Sequence, residues 1–270
     1  TQAQATAYVN ELVAKYKQGE EKFKSFANQA NQIYDNVFGN EGGERRLVVL
    51  RNAYENKEIY DRILRNLSAR YGEKSALTLL QGVNGVRLDD GTQVVFTDNC
   101  RSLASLVGTL KHEGFHTGLQ EMLDGDPEKM ETFLRKAQAI FVQSGGQFTL
   151  RNRLGEAITP EELKKMSRRE QVAALDEALA YLSETYSRKP GLMDRITGAV
   201  SALFSGGEVD WSKLTPKQRD HEARQLICDA WARVNNPEKK MALEALRKRY
   251  QPRWMTGAKG GLEGVSIPKY

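Results

Sequence analysis

Gly85-Val86-Arg87-Leu88 and Gln93-Val94-Val95-Phe96 flank Asp89-Asp90-Gly91-Thr92, and a helical stretch containing His112-Glu113-Gly114-Phe115-His116 follows. Asp-Gly between two β-prone runs predicts a hairpin. Thr97, Asp98 or Asn99 can N-cap the next helix, whose apolar positions Leu103, Leu106, Val107 and Leu110 predict a span from about Arg101 to Leu119. The strands are short and the rest of the chain carries apolar groups at helical spacing. The expectation is an α+β fold, mostly α-helical, with a small edge-stranded sheet packed on the helix of the His-Glu-x-x-His motif and helices on its flanks.

That motif uses two of the three histidines in the chain. Positions i and i+4 share one face of a helix, so His112 and His116 can hold one Zn²⁺ while Glu113 stays free as a general base. Zinc lowers the pKa of a bound water towards roughly 7, and Glu113 can take its proton and deliver it to a leaving amine. An edge strand beside the metal can hold an extended peptide by β-addition. Catalytic zinc usually takes a third protein ligand. The best candidate is Glu177, in Gln171-Val172-Ala173-Ala174-Leu175-Asp176-Glu177-Ala178-Leu179-Ala180-Tyr181-Leu182-Ser183-Glu184, because its alanines allow a close approach to the motif helix. Tyr181 lies one turn on and can donate to an oxyanion. Glu184 is a weaker ligand candidate, and His221 is a candidate third ligand or transition-state donor. Asp210 and Asp220 are carboxylates that can orient the imidazoles. Cys100, about 18 Å along the helix from His112, is expected to be a small buried residue.

The remaining boundaries are well punctuated. Apolar spacing predicts helices over about residues 4 to 37 and Glu44 to Tyr71, separated by the glycines of residues 39 to 43. Asp126-Pro127 opens a helix to about Val142. Thr159-Pro160-Glu161-Glu162 and Ser167-Arg168-Arg169-Glu170 read as capping boxes, the second opening a helix to about Ser187. Leu192 to Phe204 is a short amphipathic segment. Thr215-Pro216 opens a helix to about Val234, and Pro237 begins a last one. Three regions result: an N-terminal helical region (1–80), a catalytic core carrying the His-Glu-x-x-His motif (81–205), and C-terminal helices with a basic tail (206–270).

Composition narrows the classes. No apolar run is long enough for a membrane span, and Thr1 to Glu20 lacks the apolar centre of a signal peptide. Two cysteines do not make a disulfide framework, which points to a reducing compartment. The net charge is +5. From Asn236 to Tyr270 eight basic residues face three acids, and Arg247-Lys248-Arg249-Tyr250 and Arg253-Trp254 interleave cations with aromatics. This pattern supports a rival reading, a nucleic-acid-binding packaging protein with a degenerate metal site.

The constellation resembles the zincin metallopeptidases of the gluzincin type, whose third ligand is a Glu on a later helix. Leu110-Lys111-His112-Glu113-Gly114-Phe115-His116-Thr117-Gly118-Leu119-Gln120 is similar to the motif of zincin-like domains in large phage polyvalent proteins. The Asp176 to Glu184 helix and the segment Pro190 to Val200 are similar to the elements that follow it there. The resemblance covers about residues 85 to 205. It implies His112, His116 and Glu177 as zinc ligands, Glu113 as base, and a protein or peptide substrate. It also implies phage structural proteins as partners, with the phage virion or the bacterial cytoplasm as location. A toxin delivered between bacteria would share the chemistry.

Overall fold

The computed structural model describes residues 2–39, 46–88, 90–141, 150–151, 157–186 and 213–235. A three-stranded sheet orders the site. Strand β1 (Leu47–Leu50) pairs parallel with β3 (Gln93–Phe96), and β2 (Gly85–Arg87) pairs antiparallel with β3 on its other side. β2 therefore forms an edge. The expected hairpin is present, with Gly91 at φ 86° in its turn.

β1 corrects the expectation of one helix from Glu44 to Tyr71. Leu47-Val48-Val49-Leu50 is a continuous apolar run because a parallel strand is covered on both faces. Helix α2 starts only at Lys57 and runs to Tyr71, capped by the Asn56 side chain, which accepts from the Ile59 N–H at 3.1 Å. Helix α3 (Glu73–Gly82) then follows Gly72, at φ 80°. Ile63 of α2 and Leu80 of α3 cover one sheet face, packing with Val94, Phe96 and Leu88. Val95 of β3 points to the opposite face and joins the larger core.

That larger core is built on helix α4 (Leu103–Leu123), which carries the motif. Its cap is Ser102, whose Oγ accepts from the Ser105 N–H at 3.2 Å, rather than Thr97, Asp98 or Asn99. The Thr97 and Asp98 N–H groups donate to Leu50 and Arg51 carbonyls at 2.9 Å, and residues 97–99 form a turn that ends the strand before the helix begins. The buried residues around α4 come mainly from α1 (Gln2–Phe38), α5 (Pro127–Phe141), α7 (Arg168–Ser183) and α8 (Pro216–Trp231). A short pair, β4 (Leu150–Arg151) and β5 (Ala157–Ile158), and helix α6 (Pro160–Lys165) precede α7. Both predicted capping boxes are formed, at Thr159 with Glu162 and at Ser167 with Glu170, and α8 has a third, Thr215 with Gln218.

Two glycines let the helices approach α4. A Cβ on Gly118 would sit 1.8 Å from the Ala230 carbonyl oxygen of α8, and one on Gly114 would sit 2.2 Å from the Phe38 ring of α1. Among the described residues, no helix is long and apolar enough to cross a membrane. The amphipathic segment Leu192 to Phe204, Asp210, the helix expected from Pro237 and the basic tail lie outside the described residues.

Candidate metal centre

α4 and α7 pack side by side and bring the predicted residues together. One turn separates His112 from His116, so both rings project towards α7. The His112 Nε2 lies 3.4 Å from Glu177 Oε1, and the His116 Nε2 lies 3.6 Å from Glu177 Oε2. One ligand atom from each of His112, His116 and Glu177 lies within 4.8 Å of the others, so the group could hold a metal ion. Zinc bonds of about 2.0–2.1 Å in a tetrahedral site set ligand atoms roughly 3.3 Å apart. The two separations, each to a different oxygen of Glu177, are near that edge, so the residues could hold such an ion.

The other nitrogen of each ring is held as well. His112 Nδ1 lies 3.0 Å from Glu184 Oε1, and His116 Nδ1 lies 2.9 Å from Asp176 Oδ1. A proton on Nδ1 donated to a carboxylate leaves the Nε2 lone pair facing Glu177. Asp176 is fully buried. Glu184 can approach because Gly108 has no side chain: a Cβ there would meet Glu184 Oε2 at 3.2 Å. Lys111 fastens α4 to the end of α7, its ammonium donating to the Tyr186 carbonyl at 2.5 Å, while its own carbonyl accepts from Ser183 Oγ and Trp231 Nε1, each at 3.2 Å.

Electrostatically this is a cation site. Burial pulls the His112 pKa down, but hydrogen bonds to Glu177 and Glu184, with the charges of Glu177 and Glu113, outweigh it and lift the imidazolium to about 10. Glu113 is half-buried and lines the same cleft. Four carboxylates, Glu113, Asp176, Glu177 and Glu184, surround the two imidazoles and make the cleft attractive to a cation.

The cleft is about 380 Å³. Its floor holds His112, Glu113, His116 and Glu177. The edge strand β2 forms one wall, Ile63 and Leu67 of α2 extend it, and Tyr181 and Glu184 form the other. The Tyr181 ring packs edge-on against His112, centroids 4.7 Å apart, and is 41% exposed at the mouth. The backbone of β2 is half used. Phe96 N–H donates to Asn84 O and Leu88 N–H to Thr92 O, so the alternate residues Gly85 and Arg87 turn their backbone groups away from β3.

Some expectations were not met. Glu184 faces the far nitrogen of His112 and lies outside the group that His112, His116 and Glu177 form. His221 lies half-buried on α8 and does not line the cleft. Asp220 accepts from the Tyr186 hydroxyl at 2.5 Å and orients neither imidazole. That task falls to Asp176 and Glu184. A signal existed in the seven-residue spacing from Glu177 to Glu184, which puts both on one face of a helix. Cys100 is fully buried beside the Asn84 carbonyl, as expected. Comparisons of the chain with family descriptions, curated proteins and solved structures each find no match.

Proposed function

We propose that the chain is a zinc-dependent peptidase of the gluzincin kind, with His112, His116 and Glu177 as metal ligands. One observation carries this reading: both Nε2 atoms converge on one carboxylate while both Nδ1 atoms are held by others. With the Nδ1 protons given to Asp176 and Glu184, deprotonated Nε2 atoms would leave two lone pairs beside Glu177 for one metal ion. Zinc held there would supply a Lewis acid for a carbonyl and lower the pKa of water.

The protein's own groups supply the rest. The outward N–H and C=O groups of Gly85 on the β2 edge would pair with an extended peptide and lay its backbone across the centre. Glu113 accepts a proton from the attacking water as its oxygen bonds to the scissile carbon. The same carboxyl then returns that proton to the amide nitrogen as the C–N bond breaks. The Tyr181 hydroxyl is the donor for the oxyanion formed between those steps. Asp176 and Glu184 keep the rings from turning throughout.

Metal analysis combined with cleavage of a fluorogenic peptide library tests the proposal. Purified protein should hold one zinc per chain and lose it on Glu177→Ala. Glu113→Gln should keep the zinc and lose peptide cleavage by about 10²–10⁴-fold. A zinc-loaded protein whose cleavage is the same with Glu113→Gln would sink the mechanism. Full zinc retention in Glu177→Ala would sink the ligand assignment.

A further inference from the structure

Helix α1 is two regions in one element. From Phe23 onward it packs on the body, with Ala30, Tyr34, Val37 and Phe38 buried. Before Gly19 every described residue is exposed, and among them are Tyr8 (63%), Val9 (53%), Leu12 (47%), Val13 (45%) and Tyr16 (61%). These five are not scattered. Val9, Leu12 and Tyr16 continue the alternating spacing of three and four that runs on through Gly19, Phe23, Phe26, Ala30, Ile33 and Val37. Tyr8 and Val13 flank it. The stripe that faces the core in the second half of α1 therefore runs on into solvent in the first half. Spacing of this kind is that of a helix seam built for a partner helix. A helix of about 17 residues without a packed face is marginal in water, so the projecting half lacks the tertiary support its length calls for.

We infer that the first half of α1 is a self-association surface that pairs antiparallel with the same segment of a second copy of this chain. The direction follows from geometry. The stripe points to the side on which the chain's own body lies further along α1, and a parallel partner would have to run its second half through that body. An antiparallel partner places the two bodies at opposite ends of a shared helix pair. The stripe is also self-complementary in this direction. With the two-fold axis between Asn10 and Glu11, Val9 meets Leu12 of the second copy and Tyr16 meets Ala5, large against small. Glu11, Lys15 and Lys17 then face Asn10, Thr6 and Gln4, so no like charges oppose each other. The overlap is roughly 25 Å long. It would bury on the order of 1,000 Å², about the lower limit for a specific interface, so a weak dimer that forms at tens of micromolar chain is expected.

Sedimentation velocity and small-angle scattering of the full chain at about 50 μM, above such a Kd, test this. The expected species has twice the 30.4 kDa chain mass and two separated lobes. Leu12→Glu should return it to one chain mass with unchanged melting temperature and zinc content, whereas Leu12→Met should leave the dimer intact. A monomeric wild type would overturn the inference and leave the stripe to a different partner. A dimer that survives Leu12→Glu, or one that scatters as a single compact lobe, would overturn it too.

Discussion

Two ion pairs of nearly equal length lie in opposite surroundings. Arg46 and Glu121 meet at 2.5 Å with side chains 9% and 3% exposed; Lys15 and Glu11 meet at 2.6 Å with side chains 69% and 60% exposed. The first joins the loop before β1 to the motif helix, and the second joins two turns of the projecting half of α1. Length says little about what either does. Burial decides, because a desolvated charge that loses its partner has no water to turn to. Around Arg46 the environment is also shared. Its N–H donates to the Tyr34 hydroxyl at 3.3 Å, and its carbonyl accepts from the Gln93 N–H at 2.8 Å. Nearby, the Thr117 hydroxyl ties the hairpin turn to α4 through the Gly91 carbonyl at 3.2 Å. This polar layer sets the height of the sheet over His112 and His116, and the projecting half of α1 has nothing comparable.

The sharpest break of the comparison is Arg46→Ala. It leaves Glu121 buried without its guanidinium and should cost about 3–5 kcal/mol in denaturant unfolding. A cost under about 1 kcal/mol would mean that the buried pair is relaxed by water and resembles the exposed one.

The candidate metal centre gives the next largest effect. Asp176→Asn keeps the shape of the side chain but removes the charge that holds His116, so zinc affinity should fall by about 10–100-fold. Glu184→Gln should cost less, because Glu184 is 37% exposed against none for Asp176 and its charge is better screened. Competition with a chromophoric chelator measures both. Equal affinities in wild type and both variants would show that neither carboxylate orients its ring.

How much of this was legible beforehand depends on how local each signal is. The motif and its i, i+4 geometry lie within one helix, and the alanines around Glu177 announce a close neighbour, so the three residues that converge could be named from the chain alone. The hairpin and the capping boxes are equally local. β1 was not legible, because Leu47 and Leu50 also satisfy a helical spacing and only the parallel pairing with β3 decides between the two. α3 was hidden because no strong cap sets it off from α2. Asp176 and Glu184 could be seen as acids, but which acid reaches which nitrogen depends on the distance between α4 and α7. On that side Gly108 admits Glu184, just as Gly114 and Gly118 admit Phe38 of α1 and Ala230 of α8, and all three neighbours are remote in sequence.

A smaller effect separates the two halves of α1 by pH. Burial raises the Tyr34 phenol to about 12, against some lowering by Arg46 and Asn235. Its folded pKa therefore stands above its unfolded value of about 10. The stabilisation is fully present below pH about 10 and is lost as pH rises through about 12, amounting to roughly 1 kcal/mol by pH 11. Tyr34→Phe should flatten that part of the stability profile and remove one late step from an absorbance titration of the tyrosinates. A profile identical in wild type and variant would place Tyr34 in contact with solvent.

The smallest effect belongs to the exposed pair. Lys15→Ala removes a contact almost as short as the Arg46 one, yet should change unfolding free energy by no more than about 0.5 kcal/mol. The change should shrink further in high salt, where charges at a helix surface are screened. Self-association modifies this in a way that can be measured. In a helix pair the Lys15 stem would lie beside the apolar stripe and cover part of it, so the residue would matter more to the dimer than to the body. Lys15→Ala should then leave the melting temperature of dilute protein unchanged and weaken association by only a few-fold, far less than Leu12→Glu. An effect of Lys15→Ala on dilute protein as large as that of Arg46→Ala would erase the distinction between the two regions, because it would require the projecting half of α1 to be packed on its own body.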